Sequence, residues 1–245
     1  FCHFMWYDKK SLGPRKMGGM KDMSLDNTTP MAAREYDQKI NATIPYYPEF
    51  YEQTLDVVEQ CHFESLDWLD LGCGTGTLEE LALRRFPQAR FVLVDPSEKM
   101  LEQARAKLRD DTIPCLCRSA ADIDFTGRFD VVTAIQSLHY MEHPAHRTAL
   151  QRALQALRPG GLFIAFENVV PQAEDLKEFE LLRWGRYQQR HGKTAEEARA
   201  HNARCGVNYF PYTVHQYVQL LQDVGFSKVH VFWLSYMQMG VYAFK

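Results

Sequence analysis

Trp68-Leu69-Asp70-Leu71-Gly72-Cys73-Gly74-Thr75-Gly76-Thr77 decides the fold: an apolar run broken by one acid, then three glycines at alternate positions, then a segment of helical periodicity. The run predicts a buried strand that delivers the backbone to the edge of a sheet. The glycines remove side chains that would block a close ligand and leave backbone N–H groups facing it. Leu78, Leu81, Ala82 and Phe86 then recur at helical spacing, with Glu79 and Glu80 in the first turn and Arg84 and Arg85 in the last, the charge order that suits a helix dipole. A second apolar strand, Phe91-Val92-Leu93-Val94, ends on Asp95. That is about 20 residues past the glycines, where dinucleotide-binding folds place an acid that holds ribose hydroxyls.

Outward from this junction the chain alternates strand and helix. Strands are expected near 67–71, 90–94, 113–117, 129–135 and 162–166, and helices near 77–86, 97–109 and 145–157. Such alternation predicts a parallel sheet covered on both faces. The helix at 145–157 presents Leu150, Ala153, Leu154 and Leu157 on one face and stops at Pro159-Gly160-Gly161. Residues 31–62 read as a tyrosine-rich helical entry, and 171–212 as a charged helical insertion that breaks the rhythm. Thr213 is a candidate cap for a helix ended by Gly225, with a hairpin of strands Lys228–Leu234 and Met237–Phe244 after it. Residues 1–30 read as an irregular leader and 31–245 as a single domain.

Thr77 stands where the G-x-G-x-x-G of nicotinamide sites has its third glycine, so spacing alone leaves the ligand open. Leu69-Asp70-Leu71-Gly72-Cys73-Gly74-Thr75-Gly76 resembles the signature of class I S-adenosylmethionine-dependent methyltransferases, and Val94-Asp95-Pro96-Ser97-Glu98-Lys99-Met100 resembles their second motif. The similarity continues through Phe129-Asp130-Val131-Val132 and Leu157-Arg158-Pro159-Gly160-Gly161-Leu162. It implies an α/β fold: a doubly wound, seven-stranded, mostly parallel sheet with one antiparallel strand, an N-terminal helical lid and a helical cap inserted after the fifth strand. It also implies S-adenosylmethionine as methyl donor, with S-adenosylhomocysteine as product.

The same resemblance assigns candidate residues. Gly72, Cys73, Gly74 and Gly76 would hold the methionine part of the donor, Asp95 its ribose, and Pro96 and Met100 the adenine. Ser119, Ala120 and Asp122 are candidates in the turn after the third strand. Asp70 either receives the donor's ammonium or fixes the loop by accepting backbone N–H bonds. Gln136, Ser137, His139 and Tyr140 fall where the reactive methyl sits, with Gln136 toward the donor and Tyr140 toward the acceptor. Tyr36 and Tyr47 are the lid candidates, the first toward the donor and the second toward the acceptor. Trp184 and Arg183 of the insertion are candidate acceptor contacts, although a charged helical run also makes a solvated face. His139 is the candidate base, against the alternative of a packed or capping histidine.

A formal net charge of -3 over 245 residues gives no basic footprint for a phosphate backbone, so nucleic acid is not expected as a partner. The six cysteines include no C-x-x-C pair, and no metal is expected. No apolar run approaches the ~20 residues of a membrane span. The expected protein is therefore cytoplasmic, a monomer or homodimer, methylating an O, N or C atom of a small acceptor. Its rivals are a dinucleotide oxidoreductase, a donor-binding protein without turnover, and a methyltransferase acting on RNA or protein.

Overall fold

The computed structural model describes residues 32–245. The leader expected over residues 1–30 lies outside the described residues. In chain order the elements are α1 (Tyr36–Thr43), α2 (Tyr47–Glu59), β1 (Asp67–Leu71), α3 (Thr77–Arg85), β2 (Arg90–Asp95), α4 (Glu98–Leu108), β3 (Cys115–Cys117) and β4 (Phe129–Ile135). There follow α5 (His143–Ala156), β5 (Leu157–Val170), α6 (Asp175–Arg190), α7 (Ala195–Asn202), β6 (Tyr212–Thr213), α8 (Val214–Val224), β7 (Ser227–Ser235) and β8 (Gln238–Phe244).

The sheet runs β3-β2-β1-β4-β5-β8-β7, with two-residue β6 alongside the end of β5. β8 is antiparallel to both of its neighbours, and the remaining pairings are parallel. This is the sheet expected from the sequence. Strand order reverses between β1 and β4, and a ligand crevice opens beyond the strand ends at such a switch point.

β1 is buried on both faces, as its apolar run requires. Trp68 packs in a layer with α2 and α3, whereas Leu69 and Leu71 join the layer of α5 and α8. Trp68 Nε1–H donates to Thr133 Oγ1 at 2.9 Å, so the indole is buried with its polar atom paired. Ser97 caps α4 through the Met100 N–H, and Thr213 forms a capping box with Gln216 on a helix closed by Gly225 at φ +114°.

Two boundaries differ from expectation. The entry region is not one helix. Ile44 precedes Pro45 and is extended at ψ 120°, which stops α1, and Tyr46 at φ +57° turns the chain into α2. Leu157, expected on the inner face of α5, instead begins β5 and pairs with Phe129. Pro159 disfavours a helical Arg158, so the helix ends earlier and the strand takes up Pro159-Gly160-Gly161 as an irregular start.

The insertion forms α6 and α7 and packs against α1. Trp184 Nε1–H and Gln188 Nε2–H donate to the Thr43 carbonyl at 2.7 and 3.3 Å, and the Tyr187 hydroxyl donates to the Asn41 carbonyl at 3.3 Å. These carbonyls lie at the C-terminal end of α1, where the helix has no partner of its own to offer. No described helix is long and apolar enough to cross a membrane.

Candidate functional site

The crevice at the switch point is a cavity walled by the glycine-rich turn, the ends of β2 and β4, the turn after β3, and tyrosines of α1 and α2. All three turn glycines are left-handed, at φ +78°, +57° and +77° for Gly72, Gly74 and Gly76. They owe this to different neighbours. A Cβ on Gly72 would lie 2.3 Å from Ser137 Cβ, and one on Gly76 3.1 Å from Ala104 Cβ of α4. A Cβ on Gly74 would meet nothing within 4 Å and stand at the cavity wall. Gly76 does not line the cavity: its expected donor contact gives way to close packing of α3 on α4. The turn's amides are also engaged within the protein. Gly72 and Cys73 donate to the Val94 carbonyl at 2.7 and 3.1 Å, Gly74 to Asp95 Oδ2 at 3.0 Å, and Gly76 to the Cys73 carbonyl at 3.1 Å. The expectation that these amides face the ligand is corrected accordingly.

Asp95 joins the two motifs. Its Oδ1 accepts the Ser97 N–H at 2.8 Å while Oδ2 accepts that of Gly74. Removal from water raises its pKa, and the two amides pull it back toward the charged form. Both oxygens keep a lone-pair direction for a ligand. Asp70 Oδ1 accepts the Thr133 hydroxyl, and burial pushes the Asp70 carboxyl upward. Gln136 follows β4 with φ +54°, its N–H held by the Phe166 carbonyl at 2.7 Å. Its buried Nε2 has no protein partner, though it lines the cavity. A non-glycine residue held left-handed costs about 1–2 kcal/mol, and such strain gathers at functional sites.

Pro96, Met100, Ser119 and Ala120 wall the crevice on one side. Asp122 is not on that wall. Tyr36, Tyr47, Tyr51 and Tyr140 line the other end, with the Tyr36 and Tyr47 hydroxyls 3.2 Å apart. Burial pushes all four phenols upward, so they stay neutral. Sequence reasoning assigned no site role to Tyr51, which stands one helical turn after Tyr47, a spacing that puts both on one face. Ser137, expected beside Gln136 where the fourth strand ends, lines the cavity, and so does Thr75, which carried no expectation of its own.

Three expected contacts are absent from this wall. His139 is 1% exposed and turned away. Its Nδ1 lies 2.9 Å from Glu167 Oε2 and its Nε2 3.1 Å from Asn168 Nδ2, because the short turn Leu138–Tyr140 sends the imidazole back onto β5 and Tyr140 into the cavity. Trp184 is fully buried against the lid's C-terminal carbonyls. Arg183 pairs with Glu180 at 2.8 Å, and its guanidinium lies 4.1 Å from the Tyr236 ring centroid on the outer surface. The cap stops one layer short: Arg204 stacks 5.9 Å from the ring centroid of Tyr140.

A parallel sheet with one antiparallel strand, and a crevice between a glycine-rich turn and an acid ending the next strand, define a class I S-adenosylmethionine-dependent methyltransferase. The family model described as a methyltransferase domain matches residues 69–161, and the chain carries that domain. The chain is similar to the carboxy-S-adenosyl-L-methionine synthase of Helicobacter hepaticus, 26% identical over 213 residues, covering 83% of this chain and 89% of that protein. It is also similar to the malonyl-[acyl-carrier protein] O-methyltransferase of Priestia megaterium, 28% identical over 102 residues, which are 41% of this chain and 36% of that protein. A solved methyltransferase structure from Thermotoga maritima shares the fold, with a TM-score of 0.56 at 17% identity over 86% of this chain and 95% of that one.

Proposed function

We propose that this enzyme moves the methyl group of S-adenosylmethionine to a small acceptor whose attacking atom is already unprotonated at neutral pH, a carboxylate oxygen first among the O, N and C candidates. The observation that carries this is the lining: four neutral phenols at one end, and no His, Lys, Arg or Glu among the described residues walling the cavity. With Asp70 and Asp95 engaged by the donor and no other described residue of the wall suited to take a proton from an alcohol, an acceptor that needs no deprotonation fits best. Neutral phenols donate hydrogen bonds to a carboxylate and orient it.

The residues present fit the donor. Asp95 offers its remaining lone pairs to the ribose hydroxyls, and Asp70 a carboxylate to the ammonium. Gly74 presents bare backbone to the methionine chain. Pro96, Met100 and Ala120 form the apolar wall for adenine, with Ser119 at its edge. Gln136 Nε2 supplies an unused donor. The sulfonium supplies a methyl carbon already activated for displacement. The protein's part is to hold the acceptor in line at ~3 Å and to exclude water beneath the lid.

Calorimetric titration with S-adenosylhomocysteine tests the donor site, and no binding overturns the reading. Turnover of the donor is then followed with small carboxylic acids and with their esters as acceptors. Ester formation from the acids alone is the expected result. The likeness to a carboxy-S-adenosyl-L-methionine synthase, over 83% of this chain, supports a second reading, in which the product is a carboxylated form of the donor. Mass analysis of the donor-derived product separates the two.

A further inference from the structure

Glu79 looks from the sequence like a first-turn acid serving the dipole of α3, yet its side chain is 0% exposed and neither carboxyl oxygen finds a hydrogen-bond partner in proper geometry. What it faces is Asp70, near enough for each group to set the other's protonation, and Asp70 lines the cavity. The groups bearing on the pair are Tyr51 of α2, Cys73 of the turn, Asp95 of β2 and Lys107 of α4, with Asp37 of α1 beyond Tyr51. Lys107 is drawn off by Asp37 at 2.6 Å, and Thr75 and Thr77 also accept from it, at 2.9 and 2.6 Å. Two adjoining buried carboxyls with no cation between them do not both ionise. Removal from water, and then the charge of Asp70, pushes the Glu79 carboxyl well up, so of the two carboxyls Glu79 is the one that holds a proton more tightly.

We propose that Glu79 is a positioning residue: when the donor's α-ammonium settles against Asp70, Glu79 releases its proton to solvent, and the doubly charged pair holds the cationic head of the donor in place. This rests on the reading of the cavity as the donor site. The ammonium keeps its own protons throughout, so the balance is one proton from Glu79 to the buffer for each donor bound. An ammonium beside Asp70 offsets that carboxylate's charge and thereby removes the repulsion that kept Glu79 neutral.

The test is calorimetry of S-adenosylhomocysteine binding to the full chain in phosphate and in Tris at several pH values between 7 and 8, above the range in which Asp70 takes up a proton. The difference in heat between the two buffers counts the protons released. The native protein is expected to release protons, and its affinity to rise with pH by up to tenfold per unit. Glu79→Gln is expected to bind without proton release, with an affinity flat over the same range. Should Glu79→Gln not fold, Glu79→Met takes its place, since an apolar side chain of similar length suits a buried site that offers a carboxyl no partner. Native protein that binds without releasing protons, or a Glu79 variant that releases as many as the native, overturns the inference while leaving the donor site standing. No binding at any pH removes the donor reading and the inference together.

Discussion

The three turn glycines look equivalent in sequence, but the structure predicts that alanine at two of them separates folding from binding. At Gly72 the added Cβ falls 2.3 Å from Ser137 Cβ, far inside contact, and Ser137 is itself tied to the Leu71 carbonyl at 2.6 Å. Left-handed backbone without glycine costs about 1–2 kcal/mol, and forcing a methyl into a packed site about 1–3 more. Gly72→Ala is therefore expected to lose about 3 kcal/mol, a melting temperature lower by about 6–12 °C for a chain of this size. At Gly74 there is open space, so Gly74→Ala bears only the backbone penalty of ~1 kcal/mol, while its methyl projects into the cavity and weakens S-adenosylhomocysteine by about tenfold or more. Thermal unfolding and calorimetric titration of both variants read the two effects. Ser137→Gly removes the obstructing atoms and should restore much of the stability of Gly72→Ala in a double-mutant cycle. Unfolding of Gly72→Ala indistinguishable from native, or loss of stability at Gly74→Ala equal to that at Gly72→Ala, refutes the assignment of neighbours.

His139→Ala removes the imidazole that Glu167 Oε2 meets at 2.9 Å, leaves that buried oxygen only the backbone N–H of residue 139, and should cost about 1–3 kcal/mol in chemical unfolding, yet the pH profile of turnover at a permissive temperature should keep its shape, since the imidazole does not face the cavity. Burial holds the His146 imidazole down at about 4. As pH falls from about 6.5 to about 4 the unfolded chain takes up a proton that the folded chain refuses, so stability drops over that window by up to about 3 kcal/mol, and His146→Phe should flatten this part of the stability curve. Asp37 ties α1 to Thr75 at 2.6 Å and to Lys107 at 2.6 Å. Asp37→Ala should free the lid and speed S-adenosylhomocysteine release by about tenfold, for a loss on the order of 1–2 kcal/mol from charge-assisted bonds at a half-exposed pair; stopped-flow displacement measures it.

The strands could be read in the sequence because each is a short apolar run ended by a turn residue, and residues 67–71 and 129–135 fall where that pattern puts them. Asp95 could be read because its spacing from the glycines reflects the length of one strand-helix-strand unit. What stayed hidden depends on partners distant along the chain. Nothing near Gly76 says that Ala104 will press on it, and nothing near Glu79 says that the first turn of α3 faces inward. Neighbourhood in sequence also misled at His139, since a short turn of about three residues per cycle sends adjacent side chains in divergent directions, one inward and the next away. In the insertion, Trp184 shows the same limit: amphipathic spacing marks an inner face without saying whether that face meets a ligand or another helix.

The insertion leaves the sheet at Val170 and comes back beside it, with Val169 and Val170 paired to Tyr212 and Thr213. Departure and return at adjacent points mean that residues 171–211 make a closed excursion from the rest of the chain, and lengthening such a loop adds little entropic penalty. Nature or an engineer can thus exchange this segment as a cassette. The exchange would change what packs against the C-terminal end of α1 and against Tyr140, while the glycine-rich turn and Asp95 keep the bonds they make to each other.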